Sequence, residues 1–454
     1  MLRKSLMAVT VAALFSTGAW AGVSADEAKQ LGTTLTPVGA EKAGNKDGTI
    51  PAWTGVPTPP PPSFQKGSGI RPDPFADQKP RLSITGKDMA AHADKLTEGT
   101  KELLKRYPTM RVDVFPTQRG VVFPKKINDS ALKNATSAKA VDGGLSFEGA
   151  LPGVPFPIPK TGFEAMWNHL VRYLGIGYET KYQNWNVDAA GVPTLALVAE
   201  GFAEAPPFAA QNLDAVLKET DSITFLKLYY TGPARRAGEA LLVKDFVNPL
   251  KQGRKAWQYL PGQRRVKLAP DIAYDTPNPG TNGASTYDDA FVFNGAMDRF
   301  DFKLIGKKEM YIPYMGYRLQ FAKNGEDVAK ANHVNPDLVR WELHRVWVVE
   351  ATLKPDKRHI YSKRIFYLDE DSWVAVASDQ YDARGQLYRS AFLNTTFQYE
   401  NQTMNANNYI NYDFAAGGYA LSGISGMYYG VKIKTEPAAE TFWAAETLAG
   451  AGIR

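Results

Sequence analysis

From Trp341 to Leu353 the side chains alternate. Trp341, Leu343, Arg345, Trp347, Val349, Ala351 and Leu353 fall on one side; Glu342, His344, Val346, Val348, Glu350 and Thr352 fall on the other. A period of two is the signature of a β-strand. Three further runs follow, from His359 to Leu368, Trp373 to Tyr381 and Gln386 to Tyr399. Short polar links such as Asp369-Glu370-Asp371-Ser372 and Asp382-Ala383-Arg384-Gly385 separate them. The spacing predicts a four-strand antiparallel meander. Upstream, Ile223 to Thr231, Glu239 to Asp245, Lys255 to Leu260 and Arg264 to Leu268 read the same way, with Pro261-Gly262 as the turn between the last two.

Two segments follow the helical period instead. Thr161 and Glu164 form a capping box ahead of Phe163, Met166, Trp167, Leu170, Val171 and Leu174, and Gly175 closes the run. Thr85, with Asp88 three residues on, predicts a helix that carries Leu96, Leu103 and Leu104 and ends before Pro108. Residues 22–80 show neither period beyond a short helix near Ala25 to Leu31. Their glycines and the run Pro57-Thr58-Pro59-Pro60-Pro61-Pro62 predict an extended arm, partly polyproline II. These elements predict an α+β fold, a large curved antiparallel sheet packed with a few helices, over residues 81–454.

The first 21 residues read as an export signal. Arg3 and Lys4 precede the apolar stretch Leu6 to Phe15, and Ala19-Trp20-Ala21 offers cleavage before Gly22. No later run reaches the roughly 20 apolar residues of a spanning helix. The chain has no cysteine, which excludes disulfides, thiolate metal sites and a lipoprotein anchor. The expected place is therefore the periplasm, as a soluble protein. Hydrophobic residues make up 44% and aromatics 12%, enough for a large core. The net charge of +6 is mild and spread out. The basic runs Gly253-Arg254-Lys255 and Gln263 to Lys267 read as solvated strand or a membrane-facing patch, and no nucleic-acid partner is expected.

Catalytic signatures are absent. No glycine-rich phosphate loop or zinc-binding helix occurs, and Gly423-Ile424-Ser425-Gly426 has its second glycine one residue too early for a nucleophile elbow. The five histidines show no metal-ligand spacing; His169 is expected to be exposed, and His344 to lie on the more polar face of its strand. Asp288, Asp289, Asp298 and Asp301 around Phe291, Phe293 and Phe300 could offer oxygens to Ca²⁺, but without the EF-hand spacing they read as an acidic, aromatic loop. No metal, cofactor or enzymatic activity is expected. What remains is an excess of aromatics on strand faces. Trp257 and Tyr259 share one face, as do Trp341 and Trp347. They either fill a core or line a cleft, since a wide sheet with few helices has more apolar face than the helices cover. Those four are the candidate ligand-lining residues.

The motifs Leu35-Thr36-Pro37-Val38-Gly39-Ala40-Glu41, Ile50-Pro51-Ala52-Trp53, Trp167-Asn168-His169, Tyr274-Asp275-Thr276-Pro277, the stretches Gly153 to Pro159 and Gly306 to Tyr314, and the run 255–266 (Lys-Ala-Trp-Gln-Tyr-Leu-Pro-Gly-Gln-Arg-Arg-Val) resemble a proteobacterial family. It is the domain of unknown function 1329, often called outer-membrane lipoprotein-sorting-protein-like. The match covers nearly all of the chain and departs mainly after about Tyr399. The resemblance implies an unclosed antiparallel barrel wrapped around helices, similar to the lipoprotein carriers LolA and LolB. It also implies the company of an RND-type inner-membrane transporter and an outer-membrane protein. The expected function is a periplasmic carrier or binding protein for a lipid or other hydrophobic molecule. The alternative is a non-catalytic structural adaptor of an envelope transport complex.

Overall fold

The computed structural model describes residues 23–270 and 272–453. The export signal expected over residues 1–21 lies outside the described residues. The predicted meander is present: Trp341–Leu353, Lys363–Asp369, Ala375–Tyr381 and Leu387–Gln398 pair in sequence, all antiparallel. On its other side Trp341–Leu353 pairs along its whole length with Phe300–Pro313, with a bulge between Leu304 and Gly306. The meander then continues through Thr403–Asp413 and Gly418–Ile424. Gly418–Ile424 closes onto Gly177–Val187, and from there the order runs through Pro193–Glu204, Ser222–Gly232, Ala240–Phe246, Lys255–Leu260 and Arg265–Leu268. The result is one sheet of sixteen strands among the described residues, antiparallel except at one short bridge and not closed into a barrel. This is the α+β architecture expected.

Both faces of the strand Trp341–Leu353 are covered, so the polar side of its alternation is buried too. The helix Gly162–Leu170 packs on this strand and on Phe300–Pro313. It stops at Leu170, one turn short of the predicted end. Thr161 caps it by accepting from the Glu164 N–H at 3.2 Å, while Glu164 accepts from the Lys160 N–H rather than closing the reciprocal box. His169 is fully buried, contrary to the exposed position expected. Its Nδ1 accepts from the Ala375 N–H at 3.0 Å, so Nε2 carries the proton and donates to the Phe293 carbonyl at 3.0 Å. Burial holds this imidazole neutral, well below its ordinary pKa. The stripe of apolar residues marked only one covered side of a helix that is enclosed all round.

The segment predicted as one helix from Thr85 divides. A 3₁₀ stretch, Met89–Lys95, leads to an α-helix, Glu98–Arg106, capped by Thr97. The helix N-terminus rests on a sheet carboxylate: Asp379 accepts from the N–H groups of Glu98 and Gly99, each at 2.9 Å, from Ser390 Oγ at 2.7 Å and from the Tyr367 hydroxyl at 3.1 Å. A negative group there satisfies free N–H donors and complements the helix dipole. The approach is so close that a Cβ on Gly99 would meet Ser390 Oγ at 1.9 Å. Asp379→Ala is expected to lower stability by about 2 kcal/mol or more, because it leaves buried donors unpaired. A urea midpoint unchanged in this variant would show that Asp379 does not anchor the helix.

Residues 23–80 form no long helix or strand, yet they are held against the sheet domain. Val38, Ala40 and Ile50 are buried, Arg71 pairs with Glu400 at 3.0 Å, and the Val38 carbonyl accepts from Trp373 Nε1 at 2.8 Å. Among the described residues no helix is long and apolar enough to cross a membrane.

Candidate functional site

Where the sheet passes from its C-terminal to its N-terminal half, its inward side chains leave space. A cavity of about 90 Å³ lies over Gly177–Val187, Ser222–Gly232 and Ala240–Phe246. Leu197, Leu226, Leu228, Leu241 and Val243 supply its apolar wall, and Tyr178, Tyr182, Tyr230, Tyr287 and Tyr409 turn into it. Asn184, Asn278, Asn294 and Asn407 complete the lining. Burial raises the pKa of all five phenols, Tyr178 to about 12, so each is a neutral hydroxyl at any physiological pH. A second cavity, of about 150 Å³, lies beside the first, lined by Trp167, Leu170, Ile223, Phe246 and Met297 among others. Arg254 and Asn294 line both. An apolar cavity of the second one's volume is enough for a benzene-sized molecule.

The loop from Ile272 to Asp298 roofs both spaces. It contains the acidic, aromatic stretch noted in the sequence, and the structure shows what its charges do. Arg364, fully buried on the strand Lys363–Asp369, donates to Asp288 at 2.8 Å and to Asp289 at 2.9 Å. His359 Nε2 lies 3.0 Å from Asp288, and Tyr361 donates to Asp289 at 2.7 Å. Burial alone would push the Asp288 carboxyl up; Arg364 and His359 outweigh it and hold it far below the usual range. Arg254 ties down the two ends of the roof, donating to the Ile272 carbonyl at 2.9 Å and Asn294 Oδ1 at 3.0 Å, while pairing with Asp245 at 2.7 Å. Asp298 accepts from Tyr274, and Asp301 lies on the exposed side near Lys354. Between the tethers, Phe291 and Val292 both sit at positive φ, 55° and 71°. For a β-branched residue that is a strained backbone, and strain of this kind collects at ligand clamps and switches.

The four aromatic candidates lie elsewhere. Leu241 and Val243 face the cavity; Ala240 and Leu242, between them in parity, face the opposite side of the sheet. There they pack with Tyr259, Trp257 and Phe225 beneath Trp443 and Leu448 of the C-terminal segment. Lys227 fastens that segment, donating to the Phe442 carbonyl and to Thr447 Oγ1. Trp341 packs edge-on against Phe392, centroids 5.8 Å apart, and Trp347 stacks on Trp373 at 6.1 Å. The two pairs therefore belong to three separate places, and none of the four lines the larger cavities. Alternation assigned each pair to a common face without saying which cover that face receives.

One group could hold a cation by distance alone: His344, Asp369 and Asp371 present ligand atoms within 4.8 Å of one another. Their polar groups are already partnered within the protein. His344 bonds Glu342 at 3.0 Å, Asp371 takes both its oxygens to Arg119, and Asp369 accepts from the hydroxyls of Tyr314 and Ser372. Burial would push the His344 imidazole down, but Glu342 and Asp369 outweigh it and hold it up, while burial raises the Asp369 carboxyl to about 6. The group is a buried charge network.

The site is thus an open antiparallel sheet with two cavities under one loop. A family profile described as "Protein of unknown function (DUF1329)" matches residues 83–449, and the chain belongs to that family. The match includes the stretch after Tyr399, which therefore belongs to the family as well. An uncharacterized protein of Pseudomonas aeruginosa is 41% identical over 422 residues, covering 92% of this chain and 91% of its own length. Among solved structures, a DUF1329 family protein from Desulfovibrio piger is 13% identical with a TM-score of 0.42, over 63% of this chain and 95% of that one. A LolA superfamily protein from Nitrosomonas europaea is 11% identical with a TM-score of 0.38, over 64% of this chain and all (100%) of that one.

Proposed function

We propose that the protein is a periplasmic carrier of a lipid or other hydrophobic molecule. It would exchange its ligand with an RND-type inner-membrane exporter and an outer-membrane partner. The observation that carries the reading is the roofed cavity, whose wall mixes leucine and valine with tyrosine hydroxyls and asparagine amides. Apolar walls with a few placed polar groups are the general form of a ligand pocket. The export signal read in the first 21 residues supports the compartment, and the family resemblance supports the partners. The adaptor reading, with the proline-rich arm reaching for a partner, draws less support because it gives the roofed cavity no role.

The cavity as it stands has room for only part of an acyl or polycyclic ligand, and the strained roof is the element that would lift to admit the rest. Leu228→Trp fills the cavity from the strand Ser222–Gly232. It is expected to weaken binding of the neutral probe N-phenyl-1-naphthylamine at least tenfold while leaving the unfolding temperature within a few degrees. Equal probe fluorescence in wild type and variant would remove the cavity from the account.

A further inference from the structure

Nearly every arginine in the interior has a carboxylate. Arg71, Arg119, Arg340, Arg345, Arg364 and Arg389 each form an ion pair. Arg172 does not. It stands just past the end of the helix Gly162–Leu170, where its Nη1 donates to the His169 carbonyl at 2.7 Å. Its Nε is buried with no hydrogen-bond partner. Phe291 of the roof lies against the guanidinium, 5.8 Å from its ring centroid, and the titratable group that lowers its isolation is the Tyr178 hydroxyl rather than any acid. A guanidinium N–H shut off from water and left unpaired is unfavourable, since interior polar and charged groups are stable only when hydrogen-bonded and paired. The helix C-terminus offsets part of the charge, by about half an elementary unit, and leaves the rest.

The position of Arg172 gives this imbalance a direction. Tyr178 and Phe291 line the first cavity. Arg172 itself lines a crevice with Leu170, Ile223 and Thr224, and those three also line the second cavity. The one other arginine at these cavities, Arg254, is neutralised by Asp245. Resting on the carrier reading, we infer that Arg172 is the anchor for an anionic oxygen head group, a carboxylate or a phosphate, of an amphiphile whose apolar part occupies the roofed cavity. The planar guanidinium has an unused N–H to offer such an oxygen. Tyr178 adds a neutral hydroxyl beside it.

The test uses the full mature protein and two fluorescent probes that differ only at the head: cis-parinaric acid and its methyl ester. Wild type is expected to bind the acid at least tenfold tighter than the ester at neutral pH. Arg172→Gln is expected to abolish that preference by weakening the acid alone, and Arg172→Lys to keep part of it. Because Arg172 is uncompensated without ligand, Arg172→Met is expected to unfold at the wild-type temperature or above it, whereas loss of a purely structural residue would lower it. Equal binding of acid and ester by wild type would overturn the anchor while leaving the carrier. Loss of both probes alike in Arg172→Gln, or a marked fall in unfolding temperature in Arg172→Met, would also overturn it. Binding of neither probe by wild type would overturn the carrier reading and the anchor together. If the acid is preferred, repeating the titration with a lysophosphatidic acid competitor separates a phosphate from a carboxylate head.

Discussion

Arg364→Leu is expected to destabilise the protein by about 3–5 kcal/mol at pH 7, the loss found when one partner of a buried ion pair is removed. The variant strands Asp288 and Asp289 in the interior, with His359 as the remaining ring N–H partner of Asp288. The sign of its pH dependence follows from the same geometry. In wild type the Asp288 carboxyl is held below its ordinary value, so its contribution is present above about pH 4 and is lost as the pH falls through the folded value. Without Arg364, the burial it now outweighs pushes the Asp288 carboxyl up, so the variant regains stability as acid neutralises it. The gap between wild type and variant should therefore narrow as the pH drops from 7 towards 4. Adding Asp288→Asn and Asp289→Asn should recover much of the loss at neutral pH. A deficit below about 1 kcal/mol, or one that does not change with pH, would mean that the roof is not held by these charges.

The second large effect is expected at Trp373. Its side chain is fully buried, it stacks on Trp347 and its indole N–H holds the Val38 carbonyl of the N-terminal arm. Trp373→Ala should lower stability by about 3–5 kcal/mol, the range for large-to-small core changes. The arm should also become open to protease within residues 23–80 before the sheet does. The tryptophan sits at φ 62°, a left-handed conformation that glycine adopts without strain. Trp373→Gly should consequently be no less stable than Trp373→Ala, reversing the usual order of the two residues. An arm equally resistant in wild type and variant would show that its other contacts suffice.

How much of this was legible depends on which physical signal each element left. Lys255–Leu260 lies where alternation placed it, with Trp257 and Tyr259 packed on one face and the small Ala256 packed on the other. Gly177–Val187 and Thr403–Asp413 escaped notice for a different reason. Their inward positions include Thr180, Asn184 and Asn407, which face the cavity, so the apolar half of the period is missing. The strands that build much of the site are thus among those that hide from a hydrophobicity pattern. Asp288 and Asp289 stood out as a cluster, yet their partner Arg364 is 76 and 75 residues away in the chain. No local spacing could distinguish a metal loop from a loop clamped by an arginine. Arg172 gave no signal at all, since the absence of a counter-ion is a property of the folded neighbourhood. For Trp257 and Tyr259, parity was informative but the cover was not: Phe442 and Trp443, which pack over that face, lie far along the chain.

The most direct test of the central claim is native mass spectrometry of the protein purified gently from its own cells. The account predicts a discrete added mass of one amphiphile per chain, released on denaturation and missing from Leu228→Trp. A clean unliganded mass in repeated preparations of wild type would contradict it.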